Sequence, residues 1–171
     1  MMKRAEQART LMITALAAIA ALLLAACAPS PIAPGDRTVS GTGPAHVLDD
    51  EARVGDTVIW GGEIVAVRNL EEITELAVVS RPLDRGDRPR IRAEGGVRFI
   101  AVQRGFLEPV NYAPGRFVTI LGEVTGIEER KVGDYSYRHP VLAVDQLHLW
   151  PVNPADWQPR TRFSLGVGVR L

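Results

Sequence analysis

From Asp56 onward the apolar residues fall in short runs rich in Val, Ile and aromatic side chains, broken by Gly, Pro, Asp and Asn. No stretch of this region keeps a helical period, so the pattern predicts strands rather than helices. Five are expected, near residues 57–68, 74–80, 97–103, 117–127 and 141–150. Gly61-Gly62 falls inside the first and Gly122 inside the fourth. A missing side chain weakens a strand unless that strand must bulge or bend, so these glycines predict barrel corners. The fold class expected is all-β: a small five-stranded, OB-like, partly open barrel, with an open sandwich as the competing architecture.

The N-terminus has a different pattern. Lys3, Arg4 and Arg9 precede an apolar run over residues 11–24, fourteen residues long. A membrane-spanning helix needs about 20 apolar residues, so this run is expected to be the core of an export signal. It ends in Leu24-Ala25-Ala26-Cys27, and Cys27 is the only cysteine of the chain. This end resembles a lipobox, the site in bacterial lipoproteins where the thiol is alkylated with diacylglycerol and the chain is cut to make cysteine the new N-terminus. The resemblance implies acylation of Cys27, and three acyl chains at about 0.8 kcal/mol per buried CH₂ make detachment negligible. The lipid of the outer membrane is thus an expected partner, reached through acylated Cys27. Outer rather than inner membrane is the default because Ala28 and Pro29, not Asp, follow the cysteine.

The organisation expected is therefore a signal peptide over residues 1–26, a lipidated cysteine with a flexible tether over 27–50, a β domain over 51–151 and a C-terminal extension over 152–171. The tether reading rests on Pro29, Pro31, Pro34 and Pro44 with Gly35, Gly41 and Gly43, without a sustained apolar period. The extension begins with a segment that reads as extended, containing Pro154, Trp157 and Pro159. It ends with Phe163, Leu165, Val167, Val169 and Leu171 alternating against small or polar residues, a terminal strand suited to a sheet edge of this domain or of a partner.

Charge and scarce residue types narrow the chemistry. Acidic and basic side chains balance at 20 each over the whole chain, and removal of residues 1–26 leaves it slightly acidic. No electrostatic footprint for nucleic acid results. His46, His139 and His148 lack metal-ligand spacing, and no serine sits in a Gly-x-Ser-x-Gly elbow. No catalytic residue, metal site or cofactor is expected, and the chain reads as a non-enzyme. The candidate ligand or partner surface is made of Phe106, Tyr112 and Tyr137, with Tyr135, whose rings could stack a ligand or plug the barrel end. Arg85 and Arg88, in a turn-rich loop over residues 81–90 expected to be a mobile tip, could meet phosphate groups, although Asp84, Asp87 and Glu94 offset them.

Several short motifs occur in order: Trp60-Gly61-Gly62 with Ile64, Pro82-Leu83-Asp84, Arg98-Phe99-Ile100-Ala101, Gly105-Phe106-Leu107-Glu108-Pro109, Tyr112-Ala113-Pro114-Gly115-Arg116, and Lys131-Val132-Gly133 with Tyr137. Together they resemble the Slp family of Gram-negative outer-membrane lipoproteins, over residues 54–151. Glu108 stands where that family's turn has Asp, and Arg130 where glycine is common. The resemblance implies a lipid-anchored β domain with a structural or interaction role in envelope maintenance, under starvation or in stationary phase, and an envelope protein as partner. It supplies no catalytic motif. The competing expectation is a periplasmic module that binds a glycan, a peptide or a lipid head group.

Overall fold

The computed structural model describes residues 30–157 together with Met12. Five strands carry the fold: β1 (Thr57–Asn69), β2 (Ile73–Ser80), β3 (Arg98–Arg104), β4 (Phe117–Val132) and β5 (Tyr135–Leu149). A short helix, α1 (Pro44–Asp49), precedes them, and single 3-10 turns lie at Glu51–Arg53 and Pro154–Trp157. The strands form a ring in the order β1-β2-β3-β5-β4, the connectivity of a Greek-key OB barrel. All neighbours are antiparallel except β3 and β5, which run parallel and meet over only three residue pairs, Ile100 with Val141 to Val102 with Ala143. The expected five-stranded barrel is the observed one, and the ring closes through this short seam.

Alternation along the strands puts Trp60, Ile64, Leu76, Val78, Phe99 and Ile120 into one interior cluster. The Trp60 and Phe99 rings meet edge to face at 5.2 Å, the arrangement aromatic quadrupoles favour. The intrastrand glycines serve close approach. A Cβ on Gly62 would lie 2.0 Å from the Val79 carbonyl oxygen, and one on Gly122 would lie 2.1 Å from that of Ala143. Gly122 also sits at a break in the β4–β5 register, so the predicted bend is a bulge.

The segment expected as a flexible tether is, from Ser30 onward, part of the domain. Ile32 is buried, Ala33 exchanges two hydrogen bonds with the Gln146 side chain, and Arg37 pairs with Asp145. Ser40 N–H donates to the Thr57 carbonyl at 2.7 Å, and the Thr42 carbonyl accepts from Trp60 Nε1 at 2.7 Å. Val47 of α1 is fully buried in the barrel cluster and closes the end where β1 begins. Leu107 and Tyr112, from the β3–β4 connection, pack on the cluster from the opposite end. The prolines and glycines route this strap; its few apolar side chains and its backbone hydrogen bonds fix it, and neither produces a sequence period.

Residues 152–157 also differ from the extended reading. Trp157 folds back in the 3-10 turn, donates through Nε1 to the Pro151 carbonyl and stacks beside Trp150 at 5.0 Å and Phe117 at 5.6 Å. The apolar area of an indole outweighs the local preference for extension. The alternating tail, Phe163 to Leu171, lies outside the described residues, as does Cys27.

Candidate functional site

The β4–β5 hairpin runs far beyond the seam, to a two-residue turn at Gly133-Asp134 with Gly133 at φ 63°. Past the seam its strands no longer pair with β3, and they face residues of β1, β2 and β3 across a common groove. The groove has a volume of about 610 Å³. Its floor is Ala66, Ala77 and Ile100, and Ala66 and Ala77 are register partners, so two methyl groups side by side leave the floor deep. In OB barrels this face, flanked by the β1–β2 and β4–β5 loops, is the usual ligand surface.

A clasp holds the hairpin over the face. The Arg130 guanidinium donates to both Glu75 carboxylate oxygens at 2.8 Å, in a fork-to-fork pair. Arg68 Nε adds a contact to Glu75 at 3.1 Å, and Glu128 accepts from Arg130 Nε at 2.8 Å. Arg130 hydrogen bonding, opposed by burial and reinforced by the charges of Arg130 and Arg68, holds the Glu75 carboxyl below its usual range. Arg130 in turn is raised by Glu75 and Glu128.

His139 lies at the groove wall and is buried. Its Nδ1 is 2.9 Å from the Tyr137 carbonyl, which can only accept, so Nδ1 carries the proton and Nε2 the lone pair. Burial, aided by the charges of Arg98 and Arg130, pushes this imidazole below its ordinary pKa, so it is neutral at pH 7. Arg98 and Lys131 also line the groove and make no side-chain hydrogen bond or ion pair among the described residues. Neither has an ion-pair partner among these residues, and they stand against one unpaired carboxylate of the same lining, Glu129, which accepts from the Ser136 hydroxyl; Glu75 and Glu128 are matched by Arg130. A ligand group of one or two negative charges fits there. A stacked nucleic-acid strand does not, because the floor bears no aromatic ring.

The sequence-predicted surface is dispersed. Phe106 is exposed and Tyr112 half-buried on the β3–β4 connection, whereas Tyr137 lies on the hairpin at the other end of the barrel, exposed beside Tyr135 with ring centroids 6.3 Å apart. Tyr137 does line a smaller cleft of about 410 Å³ that continues from the groove past Arg98 and His139. Arg88 is not a free cation: its Nε pairs with Asp84 at 2.9 Å. Asp84 also accepts from the Gly86 and Arg88 N–H groups, so the loop expected as a mobile tip is internally braced. Arg85 is exposed and unpaired among the described residues. The groove residues Glu75, Arg98 and Arg130 were not singled out from the sequence as a site. The available signal was a charged residue at an outward position of an otherwise apolar strand, as Glu75 is between Thr74 and Leu76.

Among the described residues no hydroxyl hydrogen-bonds a histidine, and no group of His, Cys, Asp and Glu side chains could hold a metal ion. None of their helices is long and apolar enough to cross a membrane.

Known proteins are similar to this chain in sequence. The family model described as "Outer membrane lipoprotein Slp family" matches residues 24–164. The uncharacterized lipoprotein YeaY of Escherichia coli is 32% identical over 142 residues, covering 79% of this chain and 70% of its own length. The outer membrane protein Slp of Escherichia coli is 34% identical over 97 residues, covering 57% of this chain and 51% of its own length. An uncharacterized protein of Haemophilus influenzae is 32% identical over 98 residues, 57% of this chain and 53% of its own length. The chain thus spans about half the length of two of these relatives and 70% of the other. The family match takes in the Cys27 region as well as the whole barrel, and this chain belongs to the Slp family of outer membrane lipoproteins.

Proposed function

We propose that this lipoprotein is a non-enzymatic interaction module of the cell envelope. Residues 1–26 are removed, Cys27 becomes the acylated N-terminus, and the lipid holds the barrel at the outer membrane. The groove beneath the β4–β5 hairpin receives an envelope protein, with Arg98 and Lys131 meeting its acidic groups. The physiological role is structural, in envelope maintenance under starvation or in stationary phase, as the resemblance to the family implies.

The observation that carries this reading is the groove itself: a braced hairpin over a small-residue floor, with Arg98 and Lys131 set against the single unpaired carboxylate of Glu129 and no nucleophile–base pair within it. A protein partner suits it better than a buried small ligand, because its rim is a charged hairpin and its floor is shallowly apolar. The test is photo-crosslinking in cells from a reactive side chain placed at Ala77, on the floor, and separately at Phe106, at the far end of the barrel. Capture of one discrete envelope protein from position 77, absent from 106 and reduced by Arg98→Glu, is the expected result. Equal capture from both positions, or capture indifferent to Arg98→Glu, would remove the groove from the function.

A further inference from the structure

The strap that replaces the expected tether fixes more than the barrel end. We propose that the barrel face carrying Ser30 and the loop over residues 84–92 lies against the phospholipid head groups of the membrane that holds the anchor, with Arg85, Arg90 and Arg92 meeting lipid phosphates. This rests on acylation of Cys27, proposed above, and goes beyond it by orienting the domain.

Reach is the first constraint on the domain. A flexible tether of the 24 residues first expected, 27–50, would let the domain wander about 25 Å from its anchor. Ser30, however, is already seated: its hydroxyl donates to the Asp87 carboxylate, Ile32 beyond it is buried, and Ala33 is bonded to Gln146 in both directions. Only Ala28 and Pro29 separate Cys27 from Ser30, and the three Cα-to-Cα steps span at most about 11 Å when fully extended. The Ser30 backbone therefore stays within about 11 Å of the acylated cysteine, and the surface around Asp87 is tied to it through the Ser30 hydroxyl.

That surface is a built one. Asp87 sits at φ 55° in the turn that Asp84 braces, and its carbonyl accepts from the Thr119 hydroxyl of β4 at 2.6 Å. Leu83 and Pro89 bridge across the base of the turn, and Arg90 N–H donates to the Pro82 carbonyl. From this rigid loop Arg85, Arg90 and Arg92 are exposed and have no side-chain partner among the described residues, while Asp84 is matched by Arg88 and Asp87, half-buried, keeps its charge and accepts from the Ser30 hydroxyl. Glu94 is the one exposed acidic group beside them. Ile91, at 37% exposure, stands between two of the arginines. Guanidinium groups around an apolar side chain, on the loop that Ser30 ties to the anchor, match an anionic bilayer surface, where each cation contributes about 1 kcal/mol. The hairpin turn at Gly133-Asp134 lies at the far end of β5 from Gln146, about 35 Å along the strand.

The test uses the full acylated protein in vesicles of phosphatidylethanolamine and phosphatidylglycerol. Acylation leaves no other thiol, so Arg85→Cys and, separately, Asp134→Cys each carry a single fluorophore, quenched by head-group nitroxide lipid. Intact mass first establishes three acyl chains on Cys27. Quenching several-fold stronger at 85 than at 134, reduced about twofold by adding Arg90→Ser and Arg92→Ser, is the expected result. Equal quenching at the two positions in the acylated protein would overturn the orientation alone, and quenching unchanged by the two serines would overturn the arginine contact. A chain whose Cys27 carries no lipid would overturn the anchor reading and this proposal together.

Discussion

Two glycines and one ion pair set the fine geometry at the scale of single residues. Gly122→Ala would push a methyl group to 2.1 Å from the Ala143 carbonyl oxygen, backbone that cannot move without breaking the β4–β5 register. Overpacking of this kind costs about 1–3 kcal/mol, and with a backbone atom as the obstacle the upper end is expected; urea denaturation of the variant checks it. Glu75→Ala strips Arg130 of its fork-to-fork partner in a largely buried position. A loss of about 1–3 kcal/mol is expected, with a freer hairpin read as faster amide exchange over residues 128–138; exchange at the wild-type rate would contradict the clasp. The glycines were legible in the sequence because intrastrand glycine has few other uses. The ion pair was not, because Glu75 and Arg130 are 55 residues apart and only the barrel register brings them together.

Elements separate what periodicity reveals from what it hides. β1, β2 and β3 were placed to within about one residue, since their apolar alternation is imposed by the core. The apolar pattern ends β4 near residue 127 and starts β5 near 141, whereas the strands extend to Val132 and from Tyr135. That hairpin overhangs the barrel, buries little of its own surface and so needs no apolar face; Glu128, Glu129, Arg130 and Arg138 read as loop. The aromatic surface was misread for a related reason. Phe106 and Tyr137 are separated by the barrel's length, a fact of topology that composition does not carry. The strap was hidden because one or two buried side chains suffice to hold it. Val47→Asp would place a carboxylate in the core position that α1 fills. It is expected to release the strap and make residues 36–50 readily cleaved by protease, with the barrel strands still protected; unchanged cleavage would mean that α1 does not hold the strap.

For the molecule as a whole, the resolved pKa shifts of the acidic and imidazole groups share one direction. Burial depresses His139 and His148. Glu75 is depressed by its arginines, and Asp84 by the Gly86 and Arg88 N–H groups acting against burial. In each case the unfolded chain binds the proton more readily, so stability is full above the unfolded pKa and lost as pH falls through the folded one. Thermal midpoints should be flat above about pH 6.5, decline below it as the imidazoles are forced to charge, and fall further below about pH 4.5 as the carboxylates protonate. His139→Leu should lessen the first decline, and a steeper one would contradict the assignment. The same whole-molecule view joins the anchor to the fold: a strap seated from Ser30 onward leaves only three residues between barrel and lipid, so everything argued about placement depends on Cys27. The decisive measurement is fractionation of the envelope with intact mass of the mature N-terminus, wild type against Cys27→Ser. Triacylated Cys27 as the first residue of an outer-membrane protein, lost from that membrane in the serine variant, is the result predicted here; an unmodified soluble product beginning at another residue would contradict it.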